Sequence, residues 1–174
     1  MKLKPIATLL LGCSLSFQSC WLSDTADDFP PQIQDYYEPV TMVRSEFDTT
    51  TTLQTTAEVI VNSGKIYVKD NFIFINERNK GFHIIDNTDP TNPQNIAFLN
   101  VLGSSDLTIK GNSVYVNNAT DLLALTLDAQ AGTMEITKRV PNAFPQLTSP
   151  FGNVYYGANE NEVVVDWIFK GNNN

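Results

Sequence analysis

Histidine and cysteine are nearly missing from this chain: His83 is the only imidazole, and Cys13 and Cys20 are the only thiols. Nucleophilic catalysis through a Ser/His or Cys/His pair needs a partner within hydrogen-bond reach, and the sequence announces none. Two cysteines also exclude the disulfide framework of a small stapled scaffold. Basic residues are sparse as well, with 11 Lys and Arg against 19 Asp and Glu and a formal charge of −8. The few cations are scattered, whereas a nucleic-acid binder concentrates them into a patch or stripe. The acidity reads as a contribution to solubility rather than as a binding face.

The first residues have the order of an export signal. Lys2 and Lys4 precede a mostly apolar run from Pro5 to Phe17, which is too short to cross a bilayer as a helix. Gln18-Ser19-Cys20 follows, and then an acidic, Pro-rich segment. This arrangement resembles the signal of bacterial lipoproteins, in which a cysteine is acylated and becomes the new N-terminus. Leu10-Leu11-Gly12-Cys13 is nearer the usual residue pattern, but Cys20 sits at a better depth and directly before the polar segment. We therefore expect lipidation at Cys20, a signal peptide over 1–19, a tether over 20–39 and a β-repeat domain over 40–170. The tail over 171–174 is expected to be disordered. Asp24, Asp27 and Asp28 just past Cys20 resemble the export signal of some Gram-negative surface lipoproteins. The implied address is the outer membrane, with the membrane reached through the lipid.

A stretch of about forty residues occurs twice. GKIYVKDNFIFINERNKGFHIID starts at Gly64 and SDLTIKGNSVYVNNATDLLALTL at Ser105. Asn71 and Asn112 open matching apolar runs 41 residues apart, and Asp86 and Thr126 close them one residue closer together. Short strands at such a period signal β units that cannot bury their faces without a neighbour. Expected strands are 66–69, 72–76, 82–86 and 96–101, then 107–110, 113–117, 122–127 and 134–140, with 154–156 and 163–169 after the repeat. Asp70-Asn71, Asn79-Lys80-Gly81, Gly111-Asn112 and Ala131-Gly132 supply turn chemistry. Phe72 to Ile75 and Leu122 to Leu125 are apolar on both faces, so each needs cover on two sides. Val40, Val43 and Phe47 stand at helical spacing and predict one short helix over 41–47, with 48–56 an edge strand or loop. The fold class expected is all-β, built of antiparallel blade-like meanders with about two propeller-type repeats over 64–104 and 105–145.

Phe82-His83-Ile84-Ile85-Asp86 with Asp89-Pro90 and Pro93 resembles the naming motif of the LVIVD-repeat proteins, propeller-like secreted bacterial proteins. The second copy, Leu122 to Thr126, has Thr in place of the closing Asp and lacks the Pro-rich turn. The resemblance implies a propeller-type fold and a surface address, and no chemistry. Propellers close with roughly four to eight blades, so with two clear units either the sheets fold over each other as an open barrel or sandwich, or an exposed blade face takes a protein partner or self-associates.

Candidate site residues follow from loops and strand ends. Asp86 and Asp89, with Asn87 and Asn92, form an oxygen-rich turn. It reads first as an Asx turn and otherwise as part of a Ca²⁺ loop; no metal or other cofactor is expected. Tyr155, Tyr156 and Trp167 are aromatics near loops, either core filling or a stacking surface for a protein or a sugar. His83 on an apolar strand reads as a structural, hydrogen-bonded histidine. A surface hydrolase acting on glycans is the competing reading, with Glu77, Asp106, Asp121 and Glu160 as its acids. A third reading is a structural remnant of a longer propeller, and the expectation carried forward is a non-catalytic, lipid-anchored binding or accessory module.

Overall fold

The computed structural model describes residues 36–171. The expected signal peptide, Cys20, most of the expected tether and the last three residues lie outside the described residues. Eleven strands and one helical turn make up the described chain: β1 (Tyr37–Val43), α1 (Arg44–Phe47), β2 (Thr52–Gln54), β3 (Ser63–Lys69), β4 (Phe72–Glu77), β5 (Gly81–Asp86), β6 (Gln94–Asn100), β7 (Leu107–Lys110), β8 (Ser113–Asn118), β9 (Asp121–Asp128), β10 (Thr133–Val140) and β11 (Glu162–Phe169). They form three antiparallel sheets: β2-β6-β5-β4-β3, β10-β9-β8-β7 and the ribbon β1-β11. The all-β expectation holds.

The two copies of the repeat become the first two sheets in matching register. Phe72 pairs with Asp86 in the first, and Ser113 with Thr126 in the second. Glu77 pairs with Gly81 across a three-residue turn, whereas Asn118 pairs with Asp121 across Ala119-Thr120 alone. The shorter second turn is the physical origin of the one-residue slip in the period. Asp70 and Gly111, equivalent turn positions, both adopt positive φ, at 53° and 59°. Only Gly, Asn and Asp enter that region readily.

Register also decides which faces meet. From the first sheet, Phe74, Phe82, Ile84, Ala97, Leu99 and Val101 enter the main core. The second sheet contributes Leu107, Val114, Val116, Leu123 and Leu125. Phe74 is the repeat equivalent of Tyr115, and Val116 of Ile75, so the sheets do not meet through equivalent faces. One face of the first sheet packs on the opposite face of the second, a head-to-tail stack. Each such side chain, fully buried, contributes about 1.5–3 kcal/mol. A second cluster joins Phe47, Ala119, Val163 and Val165, with Val40 and Met42 packed against it.

Three expectations need correction. The segment 41–47 is not one helix: Val40, Thr41, Met42 and Val43 belong to β1, and only Arg44–Phe47 makes a helical turn. Val40 and Met42 face inward and Thr41 and Val43 outward along β11 instead, where Thr41 pairs with Val164 and Val43 with Glu162. The tether gives way to strand by Tyr37, two residues before its expected end. Val154–Tyr156 is not a strand. A turn precedes it, closed by Ser149 and Asn153 with Gly152 at φ +83°, and it pairs with no strand among the described residues. The segment 48–56 does contain an edge strand, β2, on β6.

Candidate binding faces

Buried polar groups cluster at the hairpin ends of both repeat sheets, where they hold neighbouring chain. Glu77, at the end of β4, accepts hydrogen bonds from the backbone N–H of Val61 (3.0 Å) and Asn62 (2.6 Å). Its Oε2 also lies 3.2 Å from Nε2 of the fully buried His83. Burial would raise the Glu77 carboxyl, but the two backbone N–H groups and His83 outweigh it and hold the group below its usual range. The equivalent residue, Asn118, donates from Nδ2 to the carbonyl of Leu102 at 2.8 Å. Val61 and Leu102 are themselves repeat equivalents, so both contacts pin the segment entering each sheet. Replacing Glu77 by Ala leaves two N–H groups without their acceptor and is expected to cost about 1–3 kcal/mol. Hydrogen exchange at Val61 and Asn62 reads this directly; unchanged protection there would contradict the assignment.

Asp121 stands where the first repeat has Gly81. Its side chain is 0% exposed; Oδ1 accepts from Arg44 Nη1 (3.0 Å) and the Asn142 N–H (3.1 Å), and Oδ2 from Arg139 Nη1 (2.8 Å) and Arg44 Nη2. Asp48 takes the Arg44 Nε at 3.0 Å, and both guanidinium carbons lie 5.4 Å from the centroid of the Phe47 ring. Burial pushes the Asp121 carboxyl up, and the two arginines with the Asn142 N–H more than offset it, leaving it below the ordinary range. With both oxygens occupied, Asp121 has the chemistry of a structural anchor. Asp106 is exposed and paired with Lys65. The acids read from the sequence as a possible hydrolytic set thus fall into separate environments: Glu77 with His83, Asp121 with the arginines, Asp106 on the surface.

Glu160 joins Tyr155 and Tyr156 along a 570 Å³ cleft that also touches Arg44, Arg139 and Asp48. Tyr156 is 91% exposed. Trp167 does not line this cleft; it lies on β11 and donates Nε1–H to the Leu147 carbonyl at 3.2 Å. Asp86 and Asp89 are elsewhere again. Asp86 accepts the Thr88 N–H (2.9 Å) and the Gln130 amide (2.9 Å), linking the two repeat sheets. Asp89 accepts both the N–H (3.0 Å) and the hydroxyl (2.7 Å) of Thr91. The Thr88 and Thr91 contacts close Asx turns and hold both carboxyls below their usual range. No group of three or more His, Cys, Asp or Glu able to hold a metal ion occurs among the described residues. The five binding candidates are therefore not gathered: the two tyrosines share one cleft and the others stand apart.

Two surfaces escaped the sequence reading. On the outer face of the first sheet, Ile66 and Val68 are 64% and 62% exposed, and Val59 and Val61, in the segment that enters the sheet, are exposed as well. On the outer face of the second sheet, a 740 Å³ cleft lies between Thr108, Tyr115 and Leu122 on one side and Phe144, Leu147 and Val154 on the other. Carrying the repeat alignment a few residues upstream of Gly64 would have revealed the first, because Ile60 and Val61 align there with the apolar Val101 and Leu102. Comparison with protein-family models, with curated proteins and with solved structures finds no match.

Proposed function

We propose that this chain is a non-catalytic binding or accessory module, exported and held at the outer membrane by lipid on Cys20. The observation that carries this reading is the exposed apolar patch that Ile66 and Val68 make on β3, at the edge of the outer face of the first repeat sheet. Contiguous exposed apolar surface marks an interaction site more often than it marks chemistry. The buried acids support the same reading, since Glu77 and Asp121 are fully engaged in holding backbone and arginine. The resemblance to LVIVD-repeat proteins fits a propeller-type set of blades completed by another polypeptide. That is an argument from architecture, and the surface patch is its physical element.

A glycan is the second partner worth testing, on the strength of one feature: Tyr156 projects beside Glu160 in a polar cleft, as a stacking platform for a sugar would. The experiment is to solubilise the full chain with a C-terminal tag from membranes, alongside a Cys20→Ser version. A polypeptide recovered in near-equal amount, and lost in the Ser version, is the expected result. Recovery of the chain alone, with hydrolysis of a surface glycan that fails in Glu160→Gln, would replace this reading by the enzymatic one.

A further inference from the structure

We propose that copies of this chain associate head to tail, the exposed β3 edge of the outer face of the first repeat sheet in one copy packing on the outer face of the second repeat sheet in the next. The inference rests on the binding-module reading and names the partner as a second copy. Its warrant is the interface already inside the chain. Ile66 and Val68 are the repeat equivalents of Leu107 and Ile109, which they match in register: Ile66 faces Ile75 as Leu107 faces Val116, and Val68 faces Ile73 as Ile109 faces Val114. Leu107 is 5% exposed where Ile66 is 64% exposed. The same holds upstream: Val101 is 0% exposed and its equivalent Ile60 is 41% exposed. Along β3 the outer face of the first sheet therefore repeats the face that the second sheet presents to the first, while its centre, at His83 (0% exposed), Ile85 (8%) and Phe98 (2%), is already covered within the chain.

The other end of the stack is complementary. The face of the first sheet that receives the second is built around Tyr67, Phe74, Phe82 and Ile84. Its equivalents in the second sheet are Thr108, Tyr115, Leu122 and Ala124, which point away from the core and line or adjoin the 740 Å³ cleft. The smaller side chains there, with Phe144 and Val154 opposite, leave room for apolar side chains such as Val61, Ile66 and Val68. Joining these two faces between copies repeats along β3 the contact that β7 makes within the chain. Such a contact is heterologous, and it closes into a ring or runs on as a filament according to the rotation per copy.

The test uses the full chain in detergent micelles and analytical ultracentrifugation. One variant blocks the first face (Ile66→Lys with Val68→Lys) and another the second (Thr108→Glu with Phe144→Glu). All four positions are exposed or partly so, and circular dichroism with a melting curve checks that each variant keeps its fold. The unaltered chain is expected to show a mass at least about twofold that of one copy, rising with concentration until a ring closes. Each blocked variant alone is expected to stay a single copy, and the two mixed are expected to form one-to-one pairs through the remaining intact faces. Single copies throughout would overturn the proposal. So would pairs formed by either blocked variant alone, the signature of a symmetric contact or of two anchors sharing a micelle. A single-copy chain that still recovers an unlike polypeptide from membranes would end the head-to-tail proposal and leave the binding-module reading standing. A single-copy chain recovered alone would end both.

Discussion

Replacing Asp121 by Ala is expected to lower the unfolding free energy by about 3–5 kcal/mol, because it strands two arginines packed on Phe47 without their shared anion. In a chain of this size the melting temperature should fall by roughly 6–20 °C. Arg44 follows β1, Asp121 begins β9 and Arg139 lies on β10, so the carboxylate ties the terminal ribbon to the second repeat sheet. The loss should therefore be cooperative, with no separate early transition for the ribbon. The same group sets part of the acid limit of the fold. Its folded pKa is depressed, so the stabilisation is fully present above the unfolded carboxyl value, roughly pH 4, and is lost as pH falls through the folded value. Glu77 is depressed too and acts in the same direction. The unaltered chain should lose stability steeply below about pH 4, and Asp121→Ala less steeply, because the variant has already lost that contribution. Parallel acid curves for the two proteins would show that Asp121 is not the linked group.

Gly103→Ala is expected to cost about 2–5 kcal/mol, combining a left-handed backbone with overlap in a packed place. Gly103 has φ +68°, and a Cβ built there meets Ala119 Cβ at 2.7 Å and its Cα at 2.8 Å. Neither neighbour can move cheaply. The Gly103 N–H donates to the Asn79 carbonyl at 2.7 Å, its own carbonyl accepts from Asn117, and Ala119 sits in the tight β8–β9 turn. Gly111 provides the control. Its φ is +59°, yet nothing lies within 4 Å of the Cβ position, so Gly111→Ala should cost only the conformational penalty, about 1–2 kcal/mol. Denaturant titration of both variants measures the difference. Equal losses would mean that close packing between the linker and the second hairpin contributes nothing.

Repetition made most of this fold legible. Nine of the eleven strands overlap a run read from the residues, since alternating and doubly apolar runs bounded by Asp, Asn and Gly leave few other choices. What lay beyond reach depended on distance. Arg44 and Asp121 are separated by 77 positions, and neither residue's surroundings hint at the other. The segment around Val40 to Phe47 fits helical spacing as well as strand alternation, and the decision comes from β11, far along the chain. Tyr155, Tyr156 and Trp167 were read together because they are aromatics in neighbouring loops. The fold puts the tyrosines along one cleft and turns the Trp167 indole toward Leu147. The exposed face of the first sheet was written in the repeat itself, in residues whose equivalents are core, and needed only the register to become visible.

The most direct test of the account is a photo-crosslinking residue placed at Val68 in the full chain, in intact cells, with the same residue at exposed Asp128 for comparison. A covered outer face predicts a discrete crosslinked product from Val68 and little from Asp128, its mass reporting a second copy or another polypeptide. No product from Val68 above the Asp128 background would show that face to be bare in the cell, and would contradict the reading of this chain as a binding module.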